Sequence, residues 1–330
     1  MRIDVHAHYY PEAYTEALAD MGLRHCRGMG QSGDLSSRLK AMDDTHTDCQ
    51  ILSSAALDTQ LPDVANAVLG ARMINDLYAE TGVKTHGRMK AFGWVPLPFV
   101  DEAIAEMGRC LDDLGFAGIC FPTLFHDRPL DDAAFTPFWT EMNRRKAKAY
   151  VHPVGSHSMC HHGMREYGLH TAIGSMAQIQ MAAQRLVYSG LSSRFPDIEF
   201  IFAVCGGNLP YSWERIRRNL VRGLTMSATA AVGGNFFNWI KDTPITLDDP
   251  MKPFRRFWYD TSVQDLPEAM LLVKKSYGTD RLLLGSDEIF ASLVEIVEYI
   301  DQNQYLDADE KRMILDENAQ NLFNFAPVLR

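Results

Sequence analysis

Two histidines one residue apart stand in the stretch Arg2-Ile3-Asp4-Val5-His6-Ala7-His8. The β-branched residues Ile3 and Val5 favour an extended backbone, on which side chains two apart share a face. His6 and His8 therefore project together, as two imidazoles must to grip one metal ion. Taken alone, a single His-x-His could equally be two unrelated polar residues near a frayed end of the chain. Two further polar groups follow apolar runs: His152 in Tyr150-Val151-His152-Pro153, and Asp287 in Leu284-Gly285-Ser286-Asp287. Singly, His152 could be a buried histidine satisfied by backbone, and Asp287 a helix cap. Together, three imidazoles and a carboxylate are the inventory of a catalytic metal site that keeps a position open for water or substrate.

That inventory has meaning only if the fold brings the four together. Eight short apolar runs read as strands: Ile3–His8, Cys49–Ala55, Lys90–Val95, Ala117–Phe121, Ala149–Val154, Glu199–Val204, Phe257–Asp260 and Leu282–Gly285. Between them, Leu61–Thr81, Val100–Leu114, Ala133–Lys148, Ala177–Ser193, Leu209–Arg222, Leu266–Ser276 and Glu288–Gln302 show helical apolar spacing, and Asp309–Phe323 follows as a last helix. Strand and helix alternating in this way predict a (β/α)₈ TIM barrel, a single α/β domain over residues 1–330. A doubly wound open sheet is the runner-up, without a G-x-G-x-x-G after the first strand. Pro137 behind Thr136 marks a helix start, and Asp265 is a candidate cap with Pro267 in the first turn. The segments Tyr9–Ser37 and Gly155–Ser175 read as long loops over the rim, where barrel enzymes build their sites. Thr225–Arg255, with Gly233-Gly234 and three prolines, reads as an excursion: a lid or a dimer contact.

Composition narrows the function. The 330 residues are 46% hydrophobic, enough for one large core, and the net charge of −10 without a basic block argues against a nucleic-acid partner. The six cysteines form no CxxC pair, and several sit in apolar runs, so a reducing compartment is expected. No apolar run approaches the length of a membrane span, and the opening strand leaves no space for a secretory leader, so a cytoplasmic protein is expected.

The chain resembles the amidohydrolase superfamily, and within it the branch of aminocarboxymuconate-semialdehyde decarboxylase. The resemblance rests on Ile3-Asp4-Val5-His6-Ala7-His8 with Pro11, on Met42-Asp43 before Asp48-Cys49-Gln50-Ile51-Leu52-Ser53, and on His152-Pro153. It continues through Leu186-Val187-Tyr188-Ser189-Gly190-Leu191, Arg194-Phe195-Pro196, Gly206-Gly207-Asn208-Leu209-Pro210, Arg215-Ile216, Leu284-Gly285-Ser286-Asp287 and Asn318-Ala319 with Leu322-Phe323. It implies that His6, His8, His152 and Asp287 hold one divalent ion, usually zinc and sometimes manganese. It also implies a homodimer, and that Arg215 grips a substrate carboxylate, in some members across the dimer interface; a local ion pair on an exposed helix is the alternative for Arg215. One departure stands out. Where the family reads His-x-Gly-Gly after the sixth strand, this chain reads Val204-Cys205-Gly206-Gly207, so the imidazole that serves the metal-bound water is replaced by an alkyl group. Cys205 reads as a packed thiol, not a nucleophile. The histidine-rich loop Ser156-His157-Ser158-Met159-Cys160-His161-His162 could compensate, with His157 as the catalytic candidate.

Three functions follow in order. The first is metal-dependent, non-oxidative decarboxylation of a small aromatic or unsaturated carboxylic acid, with Asp287 as ligand and proton donor. The second is metal-dependent hydrolysis or hydration of a small carbonyl or ring substrate, with Asp287 as base; Val204 weakens it because it needs an activated water. The third is a barrel that only binds a ligand. Trp94, Phe121 and Phe290 could line a flat pocket or belong to the core.

Overall fold

The structure is a computed structural model that describes residues 1–31, 34–55, 57, 60–153, 164, 166–227, 243–262 and 266–327. Eight strands form one sheet in sequential order: β1 (Ile3–His8), β2 (Cys49–Ser53), β3 (Met89–Gly93), β4 (Gly118–Pro122), β5 (Lys148–His152), β6 (Glu199–Phe202), β7 (Trp258–Asp260) and β8 (Leu282–Leu283). Every neighbouring pair is parallel. The seam between β8 and β1 is closed by backbone bonds, Val5 N–H to Leu284 O at 2.9 Å, Asp287 N–H to His6 O at 2.8 Å, and His8 N–H to Glu288 O. The predicted (β/α)₈ barrel is therefore the observed fold.

The strands are apolar almost throughout because both faces are covered. Outward residues pack on the helix ring: Phe121 meets Phe138 and Trp139 of the helix Thr136–Arg144 at 5.7 and 5.3 Å between ring centroids. Inward residues fill the barrel, where Phe92 of β3 stacks on Tyr150 of β5 at 4.9 Å. The helices that carry the argument are α1 (Glu12–Asp20), α2 (Val64–Lys84), α3 (Ser175–Tyr188), α4 (Leu209–Ser227), α5 (Pro267–Tyr277) and α6 (Leu293–Gln302). Among the described residues, no helix is long and apolar enough to cross a membrane.

The expected boundaries shift where hydrogen-bonding groups outweigh apolar pattern. The segment expected as the loop Tyr9–Ser37 contains α1, whose Tyr14 and Leu18, four apart, are buried on one face. The helix expected from Glu288 starts only at Leu293, since residues 287 and 288 are tied to β1 and the Ser292 side chain accepts the Glu295 N–H. Helix α2 starts at Val64, three residues late, because Asp63 caps it through the Asn66 N–H at 2.9 Å. In α5, Pro267 does occupy the first turn, but the capping position belongs to Leu266; Asp265 lies outside the described residues. So do residues 228–242 of the expected excursion.

Candidate metal centre

The twofold repeat of β1 sends Asp4, His6 and His8 into the barrel, and all three are fully buried. His152, the last residue of β5, is 5% exposed. Asp287 arrives differently. Beyond β8 the chain leaves the sheet, and Asp287 takes a left-handed backbone (φ 61°) with its N–H on the His6 carbonyl. Gly285 lets the chain pass: a Cβ there would lie 2.7 Å from Asp260 Cβ and 3.0 Å from His6 Cβ.

The result is a tight cluster. His6 Nε2 and His8 Nε2 are 3.0 Å apart, and Asp287 Oδ1 is 3.1 Å from each. The His152 ring centroid lies 4.9 Å from that of His6 and 4.8 Å from that of His8, all three rings nearly perpendicular. Candidate ligand atoms of all four residues lie within 4.8 Å of one another. Tetrahedral ligands at about 2.0–2.1 Å from a zinc-sized ion lie roughly 3.3 Å apart, so the closest members already stand near ligand spacing. Each imidazole is turned by its other nitrogen. His6 Nδ1 faces Asp260 Oδ2 at 2.9 Å and Ser262 Oγ at 3.1 Å, His8 Nδ1 faces the Ser53 carbonyl at 3.1 Å, and His152 Nδ1 faces the Pro153 carbonyl at 2.8 Å. With Nδ1 donating, each Nε2 keeps its lone pair. Asp287 Oδ1, buried, accepts no aligned hydrogen bond, its approaches to the two imidazoles being misdirected. An orphaned anionic oxygen facing imidazole lone pairs fits a divalent cation.

The charges agree with that fit. Burial lowers the affinity of His8 for a proton and, with its two neighbours, that of His152, so both rings are neutral as ligands must be. Burial also works against charge on His6, but Asp260 and Asp287 outweigh it and raise its pKa to about 10. For Asp287, burial pushes upward, yet the facing imidazoles hold it below the usual carboxylate range. Without a cation, then, one proton on His6 supplies the positive charge that the two carboxylates require.

Of the residues singled out in the sequence, His6, His8, His152 and Asp287 come together. Arg215 is exposed on α4 and is not among them. His157, His161 and His162 lie outside the described residues. The stretch after β6 is no strand: Val204, Cys205, Gly206 and Gly207 all take positive φ, with the Val204 side chain buried. Cys205 is buried and its thiol is pushed well up by burial, as a packed thiol should be. Trp94 and Phe121 are core, whereas Phe290 is 60% exposed and places its ring 5.5 Å from His8. Asp260, the buried Asp4, Gln50 and Arg38, and the half-buried Glu288 have no counterpart among the expected site residues. Asp4 accepts from Gln50 Nε2 at 2.8 Å and Ser286 Oγ at 2.6 Å, Gln50 also donates to Glu288, and Arg38 donates to the His8 carbonyl at 2.7 Å. Asp4 stands two residues before His6, and Asp260 ends its strand as His152 does; those were the available signals.

A closed parallel barrel with imidazoles on strands one and five and a carboxylate after strand eight defines a class of metal-dependent barrel enzymes. The chain belongs to the amidohydrolase family, whose profile matches residues 3–325. It is 27% identical over 313 residues to a gamma-resorcylate decarboxylase of Polaromonas sp., covering 87% of this chain and 86% of that one. It is 23% identical over 354 residues to the 2-amino-3-carboxymuconate-6-semialdehyde decarboxylase of Dictyostelium discoideum, covering 99% and 92%. Among solved structures, a dihydroxybenzoic acid decarboxylase of Polaromonas sp., holding manganese and the inhibitor 2-nitroresorcinol, superposes with a TM-score of 0.77 at 23% identity, covering 98% and 96%.

Proposed function

We propose that this protein is a metal-dependent, non-oxidative decarboxylase, a carbon–carbon lyase acting on a small aromatic or unsaturated carboxylic acid. One observation carries the reading: three imidazoles and an orphaned carboxylate oxygen converge within 4.8 Å at the C-terminal rim of the barrel, in a chain whose relatives are decarboxylases. His6, His8, His152 and Asp287 would hold the ion. We take it to be zinc, which three nitrogens and one oxygen suit, with manganese as the alternative that a relative carries. When bound, such an ion supplies positive charge for a substrate carboxylate and a neighbouring oxygen.

The remaining work falls to the chain. Asp287, ionised at rest, takes up the proton that the substrate's acidic group gives up on binding and passes it to the ring carbon that bears the carboxylate. A C–H bond forms there, and as the C–C bond breaks its electron pair returns to the ring and CO₂ leaves. Phe290, beside His8 at the rim, offers a flat face to a planar acid. Because the Val204 alkyl group replaces an imidazole, the site is better furnished for a substrate whose own oxygens face the ion than for attack by water. Arg215 is assigned to a substrate carboxylate, reached across a homodimer, and His157 to the polar contact with water or substrate that Val204 does not make. The protein acts as one barrel domain in the cytoplasm.

Purified protein loaded with zinc or manganese and offered a panel of hydroxybenzoates and muconate-type acids should release CO₂ in proportion to substrate lost. Turnover that consumes water and releases no CO₂ would establish the hydrolase or hydratase reading instead. A protein that retains no stoichiometric ion and turns over none of them would leave only a binding barrel.

A further inference from the structure

The three imidazoles are not fixed in the same way. His8 and His152 give their Nδ1 protons to backbone carbonyls, of Ser53 and Pro153, which no side-chain substitution removes. Of the three, His6 alone has no backbone acceptor at Nδ1, which meets only the Ser262 hydroxyl at 3.1 Å and Asp260, at the end of β7, at 2.9 Å.

Asp260 is fully buried and heavily engaged. Its Oδ2 lies 2.9 Å from His6 Nδ1, whose hydrogen-bond partner is the Ser262 hydroxyl at 3.1 Å, and accepts from the Tyr150 hydroxyl at 3.0 Å. Its Oδ1 takes the Val204 N–H at 2.9 Å, the Ser262 N–H at 3.0 Å and the Ser262 hydroxyl at 2.8 Å. The two oxygens thus have separate duties: Oδ1 pins the left-handed turn after β6 and the chain after β7, and Oδ2 addresses the ligand imidazole. An acceptor that makes no offer of a proton, set opposite Nδ1, leaves His6 one neutral tautomer with the Nε2 lone pair turned to the site. Gly285 is part of the same device, since any side chain there would displace Asp260 or His6.

We propose that Asp260 is the positioning residue that sets the His6 tautomer and so makes Nε2 of His6 a metal ligand, a role that rests on the metal-site reading above. An amide in its place separates the two duties. In Asp260→Asn the oxygen can still accept from the Val204 and Ser262 amides, while the NH₂ group faces Nδ1 of His6. Those amide protons oppose a proton on Nδ1, for which only the Ser262 hydroxyl at 3.1 Å still accepts, so the tautomer with its proton on Nε2 gains and the ligand position is blocked to that extent although the shape is unchanged.

The test is a metal-affinity cycle on the full chain, read by zinc competition titration and by the visible spectrum of the cobalt-loaded protein. Asp260→Asn should weaken zinc binding about 10–100-fold, the usual loss when such a partner is removed, and should alter the cobalt bands. In a His6→Ala background the same change should have no further effect, because no tautomer is left to set. An equal loss in both backgrounds would show that Asp260 only holds the turn, and overturns the proposal. Unchanged affinity and spectrum in Asp260→Asn overturn it too. Should Asp260→Asn not fold, Asp260→Ser, which keeps a hydroxyl for the amides but carries no charge to Nδ1, is read in the same cycle. If wild-type protein binds neither zinc nor cobalt, it is the metal site itself that fails, a result distinct from either.

Discussion

His6 lies between two carboxylates, Asp260 on Nδ1 and Asp287 on Nε2, and this sets the acid–base behaviour of the site. In the metal-free protein its pKa is raised to about 10, so at neutral pH the ring carries a proton that an incoming cation must displace. The sign follows: falling pH favours the proton over the metal. Apparent zinc affinity, followed by competition titration at constant ionic strength, is expected to rise about tenfold per pH unit below that value, with one proton released per ion bound. A flat profile would mean that His6 is already neutral. Asp287 is held below the usual carboxylate range, so it stays ionised and adds nothing to that slope. Asp287→Asn removes both a ligand charge and the proton carrier; CO₂ release should fall at least about 100-fold, the range for loss of a general acid, with metal content reduced in the purified protein. His157 is tested in the same assay: His157→Ala should cut kcat sharply while zinc stoichiometry is retained, and an unchanged kcat removes it from the mechanism.

At the level of elements, the turn after β6 shows how local backbone serves the site. Four successive residues, Val204 to Gly207, have φ of 55°, 50°, 77° and 64°. A β-branched residue in this region is strained, and Val204 is held there by its N–H bonds to Asp260 and Ser262 at 2.9 and 3.2 Å. Gly207 has no alternative: a Cβ would lie 2.2 Å from the Met176 carbonyl oxygen of α3. Gly207→Ala should therefore destabilise the protein by about 2–4 kcal/mol in urea unfolding. Gly285→Ala presses on Asp260 and His6, and should weaken metal binding beyond any loss in stability. Pattern reading expected β6 to run on through Val204 because the run Glu199–Val204 is apolar to its end. Apolarity reports burial, and Val204 is indeed buried; it does not report the sign of φ. The same limit hid α1, whose short amphipathic stripe lay inside what read as a long loop.

For the molecule as a whole, a metal that ties strands β1 and β5 to the segment after β8 binds the native state and not the unfolded chain. Chelation followed by gel filtration should lower Tm, and zinc at about 100 times its Kd should restore roughly 2.7 kcal/mol. An unchanged Tm would place the ion elsewhere. Arg215 belongs to this scale too, because it is exposed on α4 and its proposed carboxylate contact runs through a second copy. Arg215→Ala should raise KM about 10–100-fold, the worth of a charge-assisted hydrogen bond, without altering zinc content. Sedimentation velocity should show a dimer, and a monomer with unimpaired KM in the variant would dismiss the assignment.

By itself the sequence determined what depends on neighbours along the chain. The alternation of apolar strands and helices specified the barrel, and the two-residue repeat of any extended backbone put His6 and His8 on one face, where they stand out because a parallel strand buried on both sides is otherwise apolar. His152 and Asp287 were legible as polar residues closing apolar runs. Tertiary structure decided what depends on partners remote in sequence. Asp260 meets His6 across 254 positions of chain only because β7 and β1 flank β8 in a closed barrel, and Asp4 finds Ser286 by the same closure. Nothing local distinguishes such an aspartate from a helix cap or a surface charge. Its role is set by burial beside an imidazole, where an unshared hydrogen bond is costly, and that burial exists only once the barrel has closed.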